Sequence, residues 1–179
     1  EHFSDIVALL MLQNGAKLNQ PNSPETRDAL MFYVNFTKQL GVWDDTLPSS
    51  TVAFARGDVA MMLAPSWRVF EVQQANPDLK FGIAPVPQIP DSTRIAWGSY
   101  WAEGVNSKGK NKDVAWTLIK YLNSPEVLKK LHAEQSKIRS FGEIYARTDM
   151  AEDLAGNPKI QAFLQDAPYA QSGYMNSYT

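Results

Sequence analysis

The chain has 179 residues, 44% of them hydrophobic and 20% charged, a balance typical of a globular domain rather than a disordered chain. Its formal net charge is −2 and its lysines and arginines are scattered, which argues against a nucleic-acid partner. Cysteine is absent, which excludes disulfides, thiol nucleophiles and cysteine-based zinc sites, and no apolar run approaches the roughly 20 residues of a membrane span.

Two helices are predicted at the start of the chain. Residues 4–14 form the first, and Gly15 is placed to end it. Ser23-Pro24-Glu25 predicts the start of the second, because a serine cap, an early proline and an acidic residue all favour a helix N-terminus. One face of this second helix carries apolar residues that we expect to enter the core, namely Ala29, Phe32, Tyr33, Phe36 and Leu40.

The central feature is the stretch from Phe54 to Trp67. A short helix over residues 50–56 is followed by a predicted apolar strand from Val59 to Leu63, and Trp67 then begins another helix. Ligands bind at the carboxyl ends of strands in open α/β sheets, so Trp67 is a candidate binding residue. From the residues alone, a core position for this ring is an equally good explanation.

The next segment is predicted to be extended. Residues 81–87 form a short strand that leads into a connection stiffened by prolines up to Pro90. Residues 95–105 have strand character, with aromatic residues clustered around Gly98. Helices follow over residues 111–122, from Ser124 onward, and in short pieces near 142–154 and 158–165. This alternation of short strands and helices predicts an α/β fold.

The sequence offers no catalytic constellation. Its acid pairs are only Asp44-Asp45 and Glu152-Asp153, and adjacent acids in a helix point apart. A nucleophile elbow, a phosphate loop, a dinucleotide fingerprint and metal-ligand spacing are all missing. We therefore predict no catalytic residue, no metal and no cofactor.

Aromatic residues near irregular segments form the candidate site instead. A flat ring can stack on the apolar face of a sugar, while short polar groups such as Ser66, Ser99 and Glu1 bond the hydroxyl groups. The alternative is that these rings fill the core, and Trp101 and Tyr169 are assigned to the core. The rings considered are Phe3, Trp67, Trp97, Tyr100, Trp101, Tyr169 and Tyr174.

Four segments together resemble a known family. They are Phe54-x-x-Gly57-x-x-Ala60-Met61 with Pro65-x-Trp67, then Phe81-Gly82-Ile83-Ala84-Pro85-Val86-Pro87, then Gly98 with Val105-Asn106-Ser107-Lys108, and finally Ala115-Trp116-x-x-Ile119-x-Tyr121-Leu122-x-Ser124-x-Glu126. Over about residues 50 to 130 the chain resembles the family 1 extracellular solute-binding proteins of ABC importers. That family closes two α/β lobes over a solute at a hinge.

The resemblance implies a periplasmic binding protein-like fold of type II, of which this chain is mostly the second lobe. Residues 1–95 are expected to be the second-lobe α/β portion. Residues 96–155 are expected to be a post-hinge strand and helices that pack on a first lobe upstream. Residues 156–179 are expected to return towards the second lobe.

The resemblance also implies roles for particular residues. Trp67 matches the stacking tryptophan of the second lobe, with Ser66 beside it. Glu1-His2-Phe3 is similar to a segment that carries an acid and an aromatic ring, although a relative has proline and tyrosine where this chain has His2 and Phe3. One hydroxyl contact is therefore expected to be missing.

Further positions are implied at the hinge and beyond it. Trp97, Gly98 and Ser99 are expected at the hinge crossing, facing the cleft. Arg139 is expected either to contact solute or to cover a helix end, and Tyr174 lies near the position of another stacking ring.

The predicted function is the substrate-binding subunit of an ABC importer, which captures a sugar or oligosaccharide in an interlobe cleft without catalysis. Its partners would be a carbohydrate and the permease subunits, and it would meet the membrane only through the permease or a lipid anchor outside this chain. The expected location is periplasmic, or extracellular with a lipid anchor. Two alternatives stay open: a glycan-active enzyme fragment, which needs an acid pair across a cleft, and a same-fold binding protein for a polyamine, metal or phosphonate, which would carry more charge and fewer aromatic residues.

Overall fold

The computed structural model describes residues 1–173, and the chain divides into two compact units. Unit 1 comprises Glu1–Ser99 and the return segment that begins at Gln165, and unit 2 comprises Tyr100–Leu164. The finer division at residues 95 and 155 stays a prediction. No helix in residues 1–173 combines the length and the apolar character needed to cross a bilayer.

Unit 1 contains four helices close to their predicted positions. They are α1 (Phe3–Gln13), α2 (Pro24–Lys38), α3 (Ser50–Arg56) and α4 (Arg68–Ala75). The predicted cap of α2 is confirmed, because the Ser23 hydroxyl accepts a hydrogen bond from the backbone N–H of Thr26 at 3.2 Å.

Helices α1 and α2 pack on each other through a narrow face. Val7 and Met11 of α1 are buried there with Ala29 of α2, and Tyr33 is partly buried against them. The prediction that the whole apolar face of α2 enters the core is wrong for Phe32, Phe36 and Leu40, which are exposed. The rings of Phe32 and Phe36 do not belong to the core cluster between α1 and α2, and they pack edge-on against each other, with centroids 5.2 Å apart.

Helices α3 and α4 form a second packed pair in unit 1. Their contact buries small and branched side chains, namely Ala53, Ala55, Val69 and Val72. The Asn76 side chain at the end of α4 donates a hydrogen bond to the backbone carbonyl of Ala55 at 2.8 Å. This pairing holds α4 on α3, and Trp67 is the residue that immediately precedes α4.

The predicted strands are mostly absent from the described residues. The segment from Val59 to Leu63 is not a buried strand: it is unpaired, and Met61 is 86% exposed. Residues 81–87 are likewise unpaired, and the predicted strand over 95–105 shrinks to β1 (Ala96–Trp97). A strand is held by hydrogen bonds to a neighbouring strand. Within residues 1–173 the one such pair is β1 with β2 (Ala170–Gln171).

The return segment is bonded to the end of unit 1's first segment. β1 and β2 are parallel, with Ala96 opposite Ala170 and Trp97 opposite Gln171. The Asp166 carboxylate accepts hydrogen bonds from the Arg94 guanidinium and from the backbone N–H of Val86, both at 2.8 Å. These contacts hold β1 in place and so position Trp97.

Two aromatic residues assigned to the core lie elsewhere. Trp101 is fully exposed, at 101% of its reference area, so its core assignment is wrong. Tyr169 is also exposed, and the Arg94 guanidinium lies over its ring, 4.7 Å from the centroid. Its ring stacks on a cation at the surface rather than filling the interior.

Unit 2 is helical and has a small core. Its helices are α5 (Lys112–Leu122), α6 (Pro125–Gln135), α7 (Ala151–Leu154) and most of α8 (Pro158–Asp166). A 3-10 turn over Thr148–Met150 precedes α7, and residues 143–147 are irregular where a helix was predicted. The buried side chains of unit 2 are Leu128, Phe141, Met150, Leu154, Ile160 and Ala162, and α5 contributes none.

Candidate functional site

Several predicted site residues come together in unit 1, where α1, α3, α4 and β1 contribute to one connected set of polar side chains. We call this set the Glu1–Trp97 network. Its members are Glu1, His2, Asp5, Ser50, Thr51, Arg68 and Trp97.

Glu1 anchors one end of the network at the start of α3. One carboxylate oxygen, Oε2, accepts hydrogen bonds from the Ser50 hydroxyl at 3.0 Å, the Thr51 backbone N–H at 3.1 Å and the Thr51 hydroxyl at 2.6 Å. The other oxygen lies 3.5 Å from the Arg68 guanidinium. The Thr51 hydroxyl is the main reason that the pKa of Glu1 falls from 4.5 to about 2.

The Glu1 carboxylate caps the N-terminus of α3. Ser49, the residue at the cap position of α3, makes no side-chain cap hydrogen bond. Glu1 instead satisfies a free first-turn N–H of α3 and places a negative charge at the positive end of the helix. The structure thus gives Glu1 a positioning role that the sequence did not indicate.

We expect Glu1→Gln to lower the free energy of unfolding by about 1–2 kcal/mol at pH 7, since the amide cannot accept all these bonds. The pKa of Glu1 is lower in the folded chain, so its contribution is complete above about pH 4.5 and is lost as the pH falls towards about 2. The carboxyl group is partly exposed, so solvent screens its interactions, and the expected loss of stability is smaller than the free energy that corresponds to the full pKa shift.

Urea unfolding between about pH 2.5 and 7 measures this effect. Glu103→Gln, at an exposed position in unit 2, is the matched control and should change the stability by less than about 0.5 kcal/mol. A Glu1→Gln protein whose stability falls with acid as steeply as the wild type would contradict the capping role.

Arg68 and His2 form the middle of the network. The Arg68 Nε–H donates to His2 Nε2 at 3.0 Å, and the same guanidinium pairs with the carboxylate of Glu71. His2 precedes α1 in the left-handed backbone region, with φ of 54°, and its Nδ1 lies 3.6 Å from an Asp5 carboxylate oxygen. Left-handed backbone is uncommon outside glycine, although histidine tolerates it better than most residues.

The two candidate tryptophans contact different residues of the network. Trp67 is 37% exposed at the start of α4, and the His2 ring meets it edge-on with centroids 6.0 Å apart. The Trp97 indole N–H donates to the Asp5 carboxylate at 2.9 Å. Trp67 therefore combines a partly exposed side chain with polar neighbours, while the polar edge of Trp97 is already bonded.

The other candidate residues of unit 1 are separate from the network. Phe3 is 57% exposed and packs edge-on against Tyr33, with centroids 5.4 Å apart. Ser66 is half-buried in the turn before α4, and Ser99 is exposed. Gly98 is buried, and its backbone N–H donates to the Gln171 carbonyl at 2.9 Å.

Two candidates lie outside unit 1's described residues. Arg139 belongs to unit 2, where its guanidinium pairs with the carboxylate of Glu143. Tyr174 falls outside the part of the chain that the structure describes.

Sequence reasoning missed Asp5 and Arg68 and gave His2 no role of its own. The spacing of His2 and Asp5, three residues apart at the start of a helix, was an available signal, because such residues share a face. Arg68 directly follows the tryptophan that the motif singled out. Across residues 1–173, no three His, Asp or Glu side chains are grouped so as to hold a metal ion.

Known proteins share this chain's sequence pattern and fold. The sequence profile of the family described as bacterial extracellular solute-binding protein matches residues 2–164. The crystal structure of an ABC transporter solute-binding protein from Thermotoga lettingae TMO, bound with α-D-tagatose, superimposes with a TM-score of 0.71. It is 26% identical in sequence, and the match covers 94% of this chain and 45% of that chain.

Curated relatives match over a shorter region. Proteins from Brucella abortus (strain 2308) and Brucella suis biovar 1 (strain 1330), named only as candidate binding proteins, are each 29% identical over 69 residues, covering 38% of this chain and 17% of theirs. The chain thus spans less than half the length of the proteins it matches.

The predicted periplasmic binding protein-like fold of type II is confirmed by the structural match. The chain belongs to the bacterial extracellular solute-binding proteins.

Proposed function

We propose that this chain is part of the substrate-binding subunit of an ABC importer and that it binds a sugar by stacking it on Trp67. The supporting observation is the position of this ring, which is accessible at the start of α4 and flanked by His2 and Arg68. An aromatic face beside charged and hydrogen-bonding groups suits a sugar, which has an apolar ring face and a polar rim.

The other candidates would complete the contact with the sugar. Phe3 would offer a second accessible ring, and the hydroxyls of Ser66 and Ser99 would bond sugar hydroxyls. Trp97 and Gly98, held by Asp5 and Gln171, would shape the site rather than donate to the ligand. Contacts of Arg139 and Tyr174 with the solute stay predictions.

Family membership supports the wider role that we propose. The subunit would deliver its sugar to membrane permease subunits and would perform no catalysis. It would work in the periplasm, or outside the cell with a lipid anchor. The tagatose bound to the Thermotoga protein supports a sugar as the ligand class.

A thermal-shift screen of the full-length protein against mono- and oligosaccharides, including D-tagatose, tests this function. A ligand that binds only the native state raises the midpoint, by the equivalent of about 2.7 kcal/mol at a hundredfold excess over Kd. Calorimetry then gives the affinity of each hit. If polyamines or phosphonates raise the midpoint and no sugar does, the sugar assignment is wrong; if an oligosaccharide is cleaved during the incubation, the absence of catalysis is wrong.

A further inference from the structure

We propose that His2 is a positioning residue for the two tryptophans: its neutral ring accepts a hydrogen bond from Arg68, faces Asp5 with its other nitrogen, and so sets the orientation of Trp67 and Trp97. The role of Trp67 in this inference rests on the proposed sugar site.

The protonation state of the ring follows from its partners. An arginine side chain only donates hydrogen bonds, so His2 Nε2, 3.0 Å from Arg68 Nε, must carry a lone pair. The ring proton of neutral His2 is therefore on Nδ1, the nitrogen that lies 3.6 Å from Asp5 Oδ2. This arrangement orients a polarised N–H towards a carboxylate on one side and a lone pair towards a cation on the other.

Both tryptophans are attached to this arrangement. The His2 ring meets Trp67 at an interplanar angle of 71°, in an edge-on contact. Asp5, whose Oδ2 faces His2, uses Oδ1 to accept the Trp97 indole N–H at 2.9 Å. The His2 imidazole therefore contacts Trp67 directly and reaches Trp97 through Asp5.

The backbone of His2 lies in an uncommon region, which is consistent with a residue held by several contacts. A non-glycine residue at φ of 54° pays a conformational cost, which surrounding interactions must offset. For His2 these interactions include the bond from Arg68, the approach to Asp5, the contact with Trp67, and the hydrogen bond that the Ile6 backbone N–H donates to its carbonyl at 3.0 Å.

Protonation of His2 would reverse this arrangement. A proton on Nε2 would face the Arg68 Nε–H, donor against donor, so that bond would break. The charged groups that face the ring are Asp5 on α1 and Arg68 on α4, and Arg68 is itself paired with Glu1 and Glu71. Helix α3 and strand β1 contribute neutral groups to these partners: Ser50 and Thr51 donate to Glu1, and Trp97 donates to Asp5. A charged ring would be drawn to Asp5 and repelled by Arg68, which would shift the edge that supports Trp67.

The first test is the pH dependence of sugar affinity, measured by calorimetry between about pH 5 and 8, the range in which histidines commonly change charge. We expect the affinity of the wild type to fall about five- to tenfold in acid. His2→Gln can place an oxygen where Nε2 accepts from Arg68, but its side chain does not gain a proton in this range. The variant should therefore bind sugar within about threefold of the wild type at pH 8, and its affinity should not fall at acidic pH. The control variant His132→Gln changes the histidine of unit 2, and its sugar affinity should still fall at acidic pH as in the wild type.

The second test needs no ligand, so its outcome does not depend on the proposed function. The indole N–H resonance of Trp97, assigned by its loss in Trp97→Phe, should shift over the same pH range in the wild type and in His132→Gln, and stay constant in His2→Gln. A shift that persists in His2→Gln would overturn the role of His2. If the resonance behaves as expected but no sugar binds, the positioning role stands and the proposed function fails.

Discussion

Trp67→Ala is expected to weaken sugar binding about five- to 150-fold, which corresponds to about 1–3 kcal/mol. The side chain is 37% exposed, and within residues 1–173 its aromatic neighbour is His2, which it meets edge-on. Truncation therefore removes a stacking surface from the ligand without opening a large cavity in the protein. The thermal midpoint of the ligand-free protein should change little.

Calorimetry with the sugar identified in the screen measures this loss. Trp67→Phe keeps a smaller ring and should lose less than half of the binding energy that Trp67→Ala loses. Trp43→Ala, in the loop between α2 and α3, removes the same side chain from a position outside the network and should leave the affinity unchanged. An unchanged affinity in Trp67→Ala would exclude Trp67 as the stacking residue.

Ile160→Ala should lower the free energy of unfolding of unit 2 by about 2–4 kcal/mol. Ile160 lies on α8 and is 1% exposed, among the most completely buried side chains of the described chain. The core of unit 2 is small and α5 adds no buried side chain to it, so few neighbours can move to fill the space. The loss should therefore lie well above that of a surface substitution.

Urea unfolding followed by circular dichroism checks this value. Ile160→Val removes one methyl group and should cost about 0.5–1.5 kcal/mol. Trp101→Ala removes a much larger but fully exposed side chain of the same unit and should cost less than about 0.5 kcal/mol. Equal losses in Ile160→Ala and Trp101→Ala would show that Ile160 does not belong to a packed core.

Local signals in the sequence were enough to predict most of the helices but not the strands. The Ser23-Pro24-Glu25 start of α2 and Gly15, which follows α1 with φ of 83°, act on their immediate neighbours, and both are found in the structure. A strand depends on a partner far away in sequence. The segment from Val59 to Leu63 has the composition of a strand but, within the described residues, has no pairing neighbour.

The candidate site shows the same division between local and distant information. The motif ending in Pro65-x-Trp67 identified a ring that is accessible at a helix start. The partners of that ring could not be predicted, because His2 and Arg68 meet across 66 positions of sequence, and Asp5 and Trp97 across 92. The hydrogen bonds that Thr51 donates to the Glu1 carboxylate could not be predicted either, because these residues are 50 positions apart.

The bond between Glu1 and Thr51 has a consequence for the order of folding. Helix α3 has only seven residues, too few to persist in water by itself, and its first turn receives its side-chain acceptor from a residue 50 positions upstream. Forming α3 therefore requires closure of a long loop, whose entropic cost must be met before the cap bond is gained. Helices α1 and α2, which are neighbours in sequence, can meet earlier, so α3 should become helical only when that pair is already assembled.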